Sequence, residues 1–164
     1  MNLNDAQLAA TCIADEASNQ PYEGRVAVAC VIHNRLTLPY SSDGTMVGTI
    51  LHKWAFSGFW AAMENGKYQQ VAFDLADAEN RAQELFEQFS AQPTLWRSCQ
   101  QAWTDAQAWA AGQPMSFTPG PAFAKITRKT VLYLNPAIVH PLPAWATPEN
   151  EDAVIFSHVF YHDS

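Results

Sequence analysis

Residues 14–35 form the stretch "ADEASNQPYEGRVAVACVIHNR", which decides the fold of this 164-residue chain. The part from 25 to 36 is apolar on nearly every side of a helical projection, which predicts a central, buried helix over roughly 21–36. Pro21 suits the first turn of that helix because its missing N–H would be unpaired there in any case. A buried strand is the alternative, since the segment is rich in β-branched residues, but its length favours a helix.

Working outward, hydrophobic periodicity predicts further helices and two short strand-like runs. The helices are expected over 4–16, 46–53, 73–91 and 94–112, with an aromatic connection over 54–60 and strands at 130–134 and 153–161. The two strand-like runs can pair as an antiparallel ribbon. We therefore expect an α+β, mainly α, single domain over 1–164 with a small antiparallel β element near the C-terminus.

The composition excludes several classes of function. The chain has a net charge of −7 and no basic run, so we expect no nucleic-acid binding. Hydrophobic residues make up 48% of the chain, yet the longest apolar run, at 26–32, is too short to span a membrane. The first twelve residues lack the features of a secretory signal. The three cysteines, an odd number with apolar neighbours, predict buried, reduced thiols of a protein made in the cytosol.

Glu16 is the first candidate for chemistry. Leu8, Cys12 and Glu16 are spaced by four residues, so the carboxyl group lies on the apolar side of the first helix, whereas Asp15 should point into solvent. A carboxyl group beside a buried helix is partly desolvated, and desolvation raises its pKa toward the value of a useful general acid. The alternative is a solvated Glu16 at a frayed helix end, and spacing alone leaves both open.

Several segments resemble the spore-cortex-lytic and cell wall hydrolase family, whose catalytic domains are called SleB-like. The opening motif of the family is matched by Glu16, Ala17, Pro21, Tyr22, Glu23, Gly24, Ala27, Val28, Asn34 and Arg35. Later pieces follow in the same order along nearly the whole chain: "WAFSGFW" (54–60), "QAWAAGQP", "YLNPAIVHPLPAWA" and "SHVFY". The sequence departs from the family at Ser18-Asn19 and Gln20, where an Arg-Gly pair and a second Glu are usual, and at Leu132, where a His is common.

This resemblance implies a lysozyme-like, lytic-transglycosylase-type fold that cleaves peptidoglycan between N-acetylmuramic acid and N-acetylglucosamine. It assigns the role of catalytic acid to Glu16. The partner would be the peptidoglycan glycan strand, and no cofactor or metal is expected.

Five further residues are candidates for contacting the substrate. Each of the five has an alternative role in packing or in a turn. His158 on the last strand is expected to have a packing or hydrogen-bonding role. The five are Phe56, Ser57, Tyr133, Asn135 and Tyr161.

The number of acids bears on the type of reaction. Ordinary glycosidases flank the bond with two carboxylates, and Glu23, Asp43 and Glu64 are the candidates for a second one. Glu23 suits the positive end of its helix and so has a structural alternative. A lytic transglycosylase needs no second carboxylate, because a hydroxyl of muramic acid attacks within the same molecule. One convincing acid therefore favours a transglycosylase over a hydrolase.

Two other classes of function remain open. The first is a non-catalytic peptidoglycan-binding or virion module that lost its activity, an idea suggested by Gln20 and Leu132. The second is a metal-dependent amidase using His158, His162 and Asp163, although no third ligand occurs at a recognised spacing. We expect a monomer that acts at the cell wall, and a compact domain of this kind suits a phage lysis system or virion.

Overall fold

The computed structural model describes residues 1–164. It contains five α-helices, five β-strands and three short 3₁₀ turns. The helices are α1 (Asp5–Ala17), α2 (Tyr22–Thr37), α3 (Met46–Ile50), α4 (Leu75–Ser90) and α5 (Pro93–Ala110). The strands are β1 (Ala61–Glu64), β2 (Lys67–Gln70), β3 (Thr130–Leu134), β4 (Glu151–Ile155) and β5 (His158–His162).

The first two helices form the centre of the core. Helix α1 begins with a capping box, in which Asn4 Oδ1 accepts from Gln7 N at 2.8 Å and Gln7 Oε1 accepts from Asn4 N at 2.9 Å. Seven consecutive residues of α2, from Val26 to Ile32, are completely buried. The prediction of a buried helix, rather than a strand, is thus confirmed.

The other three helices, α3, α4 and α5, lie close to the ranges that the sequence predicts. Thr45 caps α3 by accepting from Gly48 N at 2.9 Å, and Asp74 caps α4 by accepting from Asp77 N at 2.8 Å. Helix α5 packs against both α1 and α2. The prediction of a mainly helical α+β chain with a small antiparallel β element near its C-terminus is confirmed.

The C-terminal β element is larger than predicted. It is a three-stranded antiparallel sheet in the order β3–β5–β4. The prediction of one strand over 153–161 was wrong, because the chain turns at Phe156 and Ser157 and forms a hairpin there. Phe156 adopts a φ of 52°, a conformation that large residues rarely take, so its sequence did not indicate a turn.

A second hairpin, β1–β2, was not predicted at all. It turns at Asn65 and Gly66, which both have positive φ values, 49° and 75°. Asn-Gly between two short strands is a strong hairpin signal, so the sequence did contain the information. Helix α4 follows this hairpin.

Two neighbouring side chains attach α2 to β3. Asn34 Nδ2 donates to the carbonyls of Thr127 and Thr130, both at 2.8 Å. Arg35 Nε donates to the carbonyl of Val131 at 2.6 Å. Because α2 packs on α1, these bonds set the distance between β3 and the end of α1.

Two further observations concern the chain as a whole. All three cysteines are buried and unpaired, as predicted. No helix combines the length and the apolar character that crossing a membrane requires.

Candidate functional site

Glu16 lies in the last turn of α1 and faces the C-terminal sheet. Its Oε2 accepts a hydrogen bond from the Tyr133 hydroxyl of β3 at 2.7 Å. Tyr133 follows Val131 by two residues, so the attachment of Arg35 to β3 also positions this hydroxyl. The carboxyl group is therefore held between a helix end and a strand that are 117 residues apart in the chain.

The pKa of Glu16 is raised from 4.5 to about 7, chiefly by burial and in addition by the negative charge of Asp15. The hydrogen bond from Tyr133 and the positive charge of Arg35 act in the opposite direction. A carboxyl group with a pKa near neutrality can both donate and accept a proton at physiological pH. Glu16 thus has the environment of a general acid/base.

Two cavities meet at Glu16 and Ser57. The hairpin-side cavity, of about 270 Å³, is lined in addition by Asp15, Gly58, Ala61, Ala62, Met63, Tyr68 and Arg81. The sheet-side cavity, of about 300 Å³, is lined in addition by Arg35, Trp54, Ala55, Phe56, Tyr133, Leu134, Asn135, Ile138, Val139 and His158. Glu16 therefore sits where an extended ligand would pass from one cavity into the other.

Ser57 and Asn135 both lie within this arrangement. Ser57 is exposed at the start of a 3₁₀ turn, and its hydroxyl accepts from Tyr68 OH at 3.1 Å. Asn135 Oδ1 accepts from Ala137 N at 3.0 Å, which leaves the amide nitrogen unused by the protein. Asn135 therefore forms the expected turn and lines the sheet-side cavity as well.

Phe56 and Tyr161 have different positions from those expected of sugar contacts. Phe56 lines the sheet-side cavity but is 2% exposed, with its ring centroid 4.9 Å from the Arg35 guanidinium carbon. Tyr161 lies against Trp145 in a separate small cluster and lines none of the cavities. Alternation along β5 places Tyr161 on the opposite face from His158, so the expectation that it contacts the sugar does not fit.

Asp15 was expected in solvent, and that expectation was wrong. Its carboxylate lies against Gly58, where a Cβ would overlap it, and it lines the hairpin-side cavity together with Glu16. Burial raises the pKa of Asp15, and the nearby charge of Arg81 lowers it. Helical spacing could not indicate this burial, because Gly58 lies more than forty positions after Asp15 in the chain.

The three carboxylates named from the sequence as possible partners of Glu16 lie outside both cavities. Glu23 accepts from Gly120 N at 2.6 Å, and Asp43 accepts from Thr45 N at 2.9 Å. Glu64 is exposed at the end of β1. Glu23 and Asp43 thus organise loops, and Asp15 is the other carboxylate that shares a cavity with Glu16.

Two residues that line the sheet-side cavity were not among the predicted substrate contacts. His158 is 8% exposed, lines the sheet-side cavity and has its ring centroid 5.1 Å from that of Tyr133. Burial lowers its pKa, which favours the neutral imidazole. Arg35 is 6% exposed and lines the same cavity. Its position shortly after the apolar run of α2, on a helix that is buried along most of its length, was the signal that could have identified it.

Other features of the surface do not involve Glu16. A larger cavity, of about 650 Å³, lies between Ser18 and the start of α5 and contains none of the predicted site residues. No cluster of three or more His, Cys, Asp or Glu side chains has the arrangement of a metal site. His162 pairs with Asp152 at 2.8 Å, and Asp163 accepts from Tyr40 at 3.0 Å, so these two do not converge with His158.

No family model matches the chain. A segment of 54 residues, 33% of the chain, is 48% identical to a spore cortex-lytic enzyme of Oceanobacillus iheyensis and 43% identical to one of Bacillus subtilis. The matched segment covers 19% and 17% of those two proteins, so the similarity spans less than a fifth of their length.

Among solved structures, the chain is similar to the catalytic domain of the germination-specific lytic transglycosylase SleB from Bacillus anthracis. The TM-score is 0.58 at 24% sequence identity, and the match covers 98% of this chain and 96% of that one. This similarity confirms the expected lysozyme-like, lytic-transglycosylase-type fold. The chain is therefore related in sequence to the spore cortex-lytic enzymes over this segment, and it shares the fold of a SleB catalytic domain.

Proposed function

We propose that this protein cleaves peptidoglycan glycan strands between N-acetylmuramic acid and N-acetylglucosamine, with Glu16 as the general acid and base. The observation that supports this most is the half-buried Glu16 carboxyl group, with a pKa of about 7, at the junction of two cavities. A glycan strand crossing that junction would place a glycosidic oxygen beside the carboxyl group. The spore cortex-lytic relatives and the SleB fold support the same substrate class.

In the first step, the protonated Glu16 donates its proton to the glycosidic oxygen as the bond to the muramyl C1 breaks. The leaving N-acetylglucosamine then carries a new hydroxyl group. Glu16 becomes a carboxylate, which is stabilised by the hydrogen bond from Tyr133 and by the charge of Arg35. The positive charge that develops at C1 is close to that carboxylate.

In the second step, the C6 hydroxyl of the same muramyl residue attacks C1 and loses its proton to the Glu16 carboxylate. A 1,6-anhydro ring forms, and Glu16 returns to its protonated form, so no water is consumed. One carboxyl group thus serves as acid and then as base, a combination that a pKa near neutrality favours. This is a lytic transglycosylase reaction.

Hydrolysis is the second candidate, and Asp15 is the observation that favours it. Asp15 lines the hairpin-side cavity with Glu16 and accepts no hydrogen bond from another side chain. A second carboxylate in this position could hold a water molecule for attack on C1, as in ordinary glycosidases. The product would then have a reducing muramic acid end rather than an anhydro ring.

A non-catalytic binding module is the remaining alternative. The departure at Gln20 was one reason for considering it, but the Gln20 side chain is buried and donates to Ser157 Oγ at 2.6 Å. It lines neither cavity beside Glu16, so its role here is to connect the α1–α2 junction with the β4–β5 turn.

Mass spectrometry of soluble fragments from purified peptidoglycan tests these possibilities. The comparison uses the wild type, Glu16→Gln, and Glu87→Gln as a matched control, because Glu87 is exposed on α4 and lines no cavity. Anhydromuramic ends from the wild type and the control, but not from Glu16→Gln, would support the transglycosylase. Reducing ends would support the hydrolase. Binding without any glycan product from folded wild type would overturn the enzymatic proposal.

A further inference from the structure

A third cavity continues from the sheet-side cavity, away from Glu16. It has a volume of about 380 Å³ and shares a wall that includes Arg35, Trp54 and Tyr133 with its neighbour. Its other side is lined by Tyr40, Ser41, His52, Lys53, Leu132, Pro143 and Trp145. We call it the basic cavity. The reaction proposed above uses none of the residues on that other side.

The charge of this cavity is opposite to that of the protein. The chain has 16 acidic residues against 9 Lys and Arg. Nevertheless Arg35, His52 and Lys53 line the basic cavity, whereas no Asp or Glu does. Asp163 does not line the cavity, although its carboxylate accepts a hydrogen bond from the Tyr40 hydroxyl at 3.0 Å. An anionic ligand would therefore meet a locally positive surface on a negatively charged protein.

Arg35 forms no ion pair within the protein. Its guanidinium is almost completely buried, donates to the carbonyls of Val131 at 2.6 Å and Ala55 at 3.4 Å, and forms no ion pair. Buried charges are normally paired, because an unpaired one is costly to desolvate. Glu16 is the one carboxylate whose charge acts on Arg35, and that charge is absent whenever Glu16 holds its proton. A ligand carboxylate in the basic cavity would supply the missing negative charge.

Trp54 supplies a surface for a sugar ring. It is 46% exposed and lines both the basic and the sheet-side cavity. Its φ is 64°, a conformation that is unfavourable for an aromatic residue and that holds the indole at the boundary of the two cavities. Trp145, at the opposite side, packs against Tyr161 with ring centroids 5.3 Å apart. The cavity thus combines aromatic walls with cationic groups.

We propose that the basic cavity is a subsite for a muramyl residue, with the sugar ring against Trp54 and a carboxylate of its substituent directed toward Lys53 and Arg35. Muramic acid carries a lactyl ether that ends either in a free carboxylate or in a peptide with carboxylates of its own. The inference rests on the proposed function because it assumes a glycan strand in the neighbouring cavities. It adds a preference for strands whose muramyl substituents are anionic.

The test measures binding separately from cleavage, in the Glu16→Gln background. Soluble glycan oligosaccharides are prepared in three forms: with intact peptide stems, with stems removed to leave lactyl carboxylates, and with those carboxylates converted to neutral amides. Isothermal titration calorimetry gives the Kd of each form. Lys53→Gln is compared with Lys129→Gln, which makes the same change of charge at an exposed residue outside every cavity.

We expect Lys53→Gln to weaken binding of an anionic form by about three- to tenfold, the range of one exposed charge-assisted contact. It should leave the amidated form unchanged, and Lys129→Gln should change neither. The anionic form that responds identifies whether the lactyl group or the peptide supplies the carboxylate. Equal effects of the two lysine variants on all three forms would overturn the charge assignment.

Trp54→Gly tests the stacking surface independently of charge. Glycine adopts a positive φ readily, so this variant removes the indole while keeping the backbone conformation. It should weaken the binding of all three forms, the amidated one included. Unchanged Kd values would overturn the role of Trp54. Cleavage by the wild type with no selective effect of Lys53→Gln would remove this inference and keep the proposed function. Charge-dependent binding without any cleavage would keep this inference and remove the proposed function.

Discussion

The two cavities that meet at Glu16 differ in charge and in the segments that build them. On the hairpin side, Asp15 presents a half-buried carboxylate, and the opposite wall comes from the β1–β2 hairpin and α4. On the sheet side, Arg35 presents a guanidinium and Tyr133 a hydroxyl donor. The two sides therefore shift the pKa of Glu16 in opposite directions, upward by Asp15 and downward by Tyr133 and Arg35.

This difference shows how one carboxyl group can serve in both halves of a reaction. Burial and Asp15 favour the protonated form, which donates to the leaving group. Arg35 and Tyr133 favour the carboxylate, which must later accept a proton. The balance leaves the pKa at about 7, so both forms are accessible near neutral pH. Variants on the two sides should consequently have opposite effects, and these effects can be measured.

Glu16→Gln should have the largest effect, because it removes the group on which both sides act. We expect the rate of glycan cleavage to fall by about 10²–10⁴ or more, the usual contribution of general acid/base catalysis. The measurement is the initial rate of release of soluble glycan fragments at pH 6. A rate within tenfold of the wild type would contradict the assignment of Glu16.

The same substitution should stabilise the fold at high pH. The folded-state pKa of about 7 exceeds the ordinary value of 4.5, so the folded protein retains a proton that the unfolded chain has lost between these values. This contribution to stability is complete below pH 4.5 and is lost as the pH rises to 7. Above pH 7, Glu16→Gln should therefore be more stable than the wild type by up to roughly 3 kcal/mol, measured by urea unfolding.

Asn34→Ala should break the attachment of the sheet side while leaving the hairpin side in place. It removes the side-chain amide that donates two hydrogen bonds and leaves the carbonyls of Thr127 and Thr130 without this partner. We expect the free energy of unfolding to fall by about 2–3 kcal/mol. Asn80→Ala is the control, since Asn80 is exposed on α4, and it should change stability by less than about 0.5 kcal/mol.

The two sides of the site also differ in how far the sequence predicts them. The end of α1 follows from helical periodicity, and α2 follows from the length of its apolar run and from Pro21 at its start. The family resemblance indicated Tyr133 and Asn135. The resemblance applies to segments far apart in the chain, which periodicity alone cannot place together. The structure brings Ser57, Tyr133 and Asn135 into cavities that Glu16 also lines.

The parts that were missed depend on contacts between distant segments. Asp15 lies against Gly58, and no local pattern around Asp15 indicates that a distant segment will cover it. The β4–β5 turn uses Phe156 at a positive φ, a position where Gly, Asn or Asp is usual. The β1–β2 hairpin is a different case, because its Asn65-Gly66 turn was visible in the sequence.

Tyr133→Phe should shift the pH profile of cleavage upward. The variant loses the hydroxyl that donates to the Glu16 carboxylate, so the protonated form gains relative stability and the pKa of Glu16 rises. The limb on which activity falls at high pH should move to higher pH, while the maximal rate decreases because the carboxylate is less stabilised. Tyr22→Phe, which loses a hydroxyl bonded to Asp105 and away from Glu16, should leave the profile unchanged.

Asp15→Asn should shift the same limb in the opposite direction. Removing the negative charge lowers the pKa of Glu16, so the enzyme loses its general acid at a lower pH than the wild type does. A displacement of half a pH unit would reduce activity on that limb about threefold. Initial rates between pH 5 and 9 test this, and an upward shift would show that Asp15 does not act on Glu16 through its charge.

Gly58→Ala distinguishes the charge of Asp15 from its position. A Cβ at Gly58 would overlap the Asp15 carboxylate, so the side chain must turn away while it keeps its charge. If the hairpin side acts through a carboxylate held close to Glu16, Gly58→Ala should move the high-pH limb of the activity profile to lower pH. This displacement should be smaller than the one caused by Asp15→Asn. In the double variant, Gly58→Ala should add almost nothing to Asp15→Asn, because the charge that it displaces is already absent. Additive shifts would mean that Gly58 affects Glu16 by another route, such as displacement of Ser57 in the same turn.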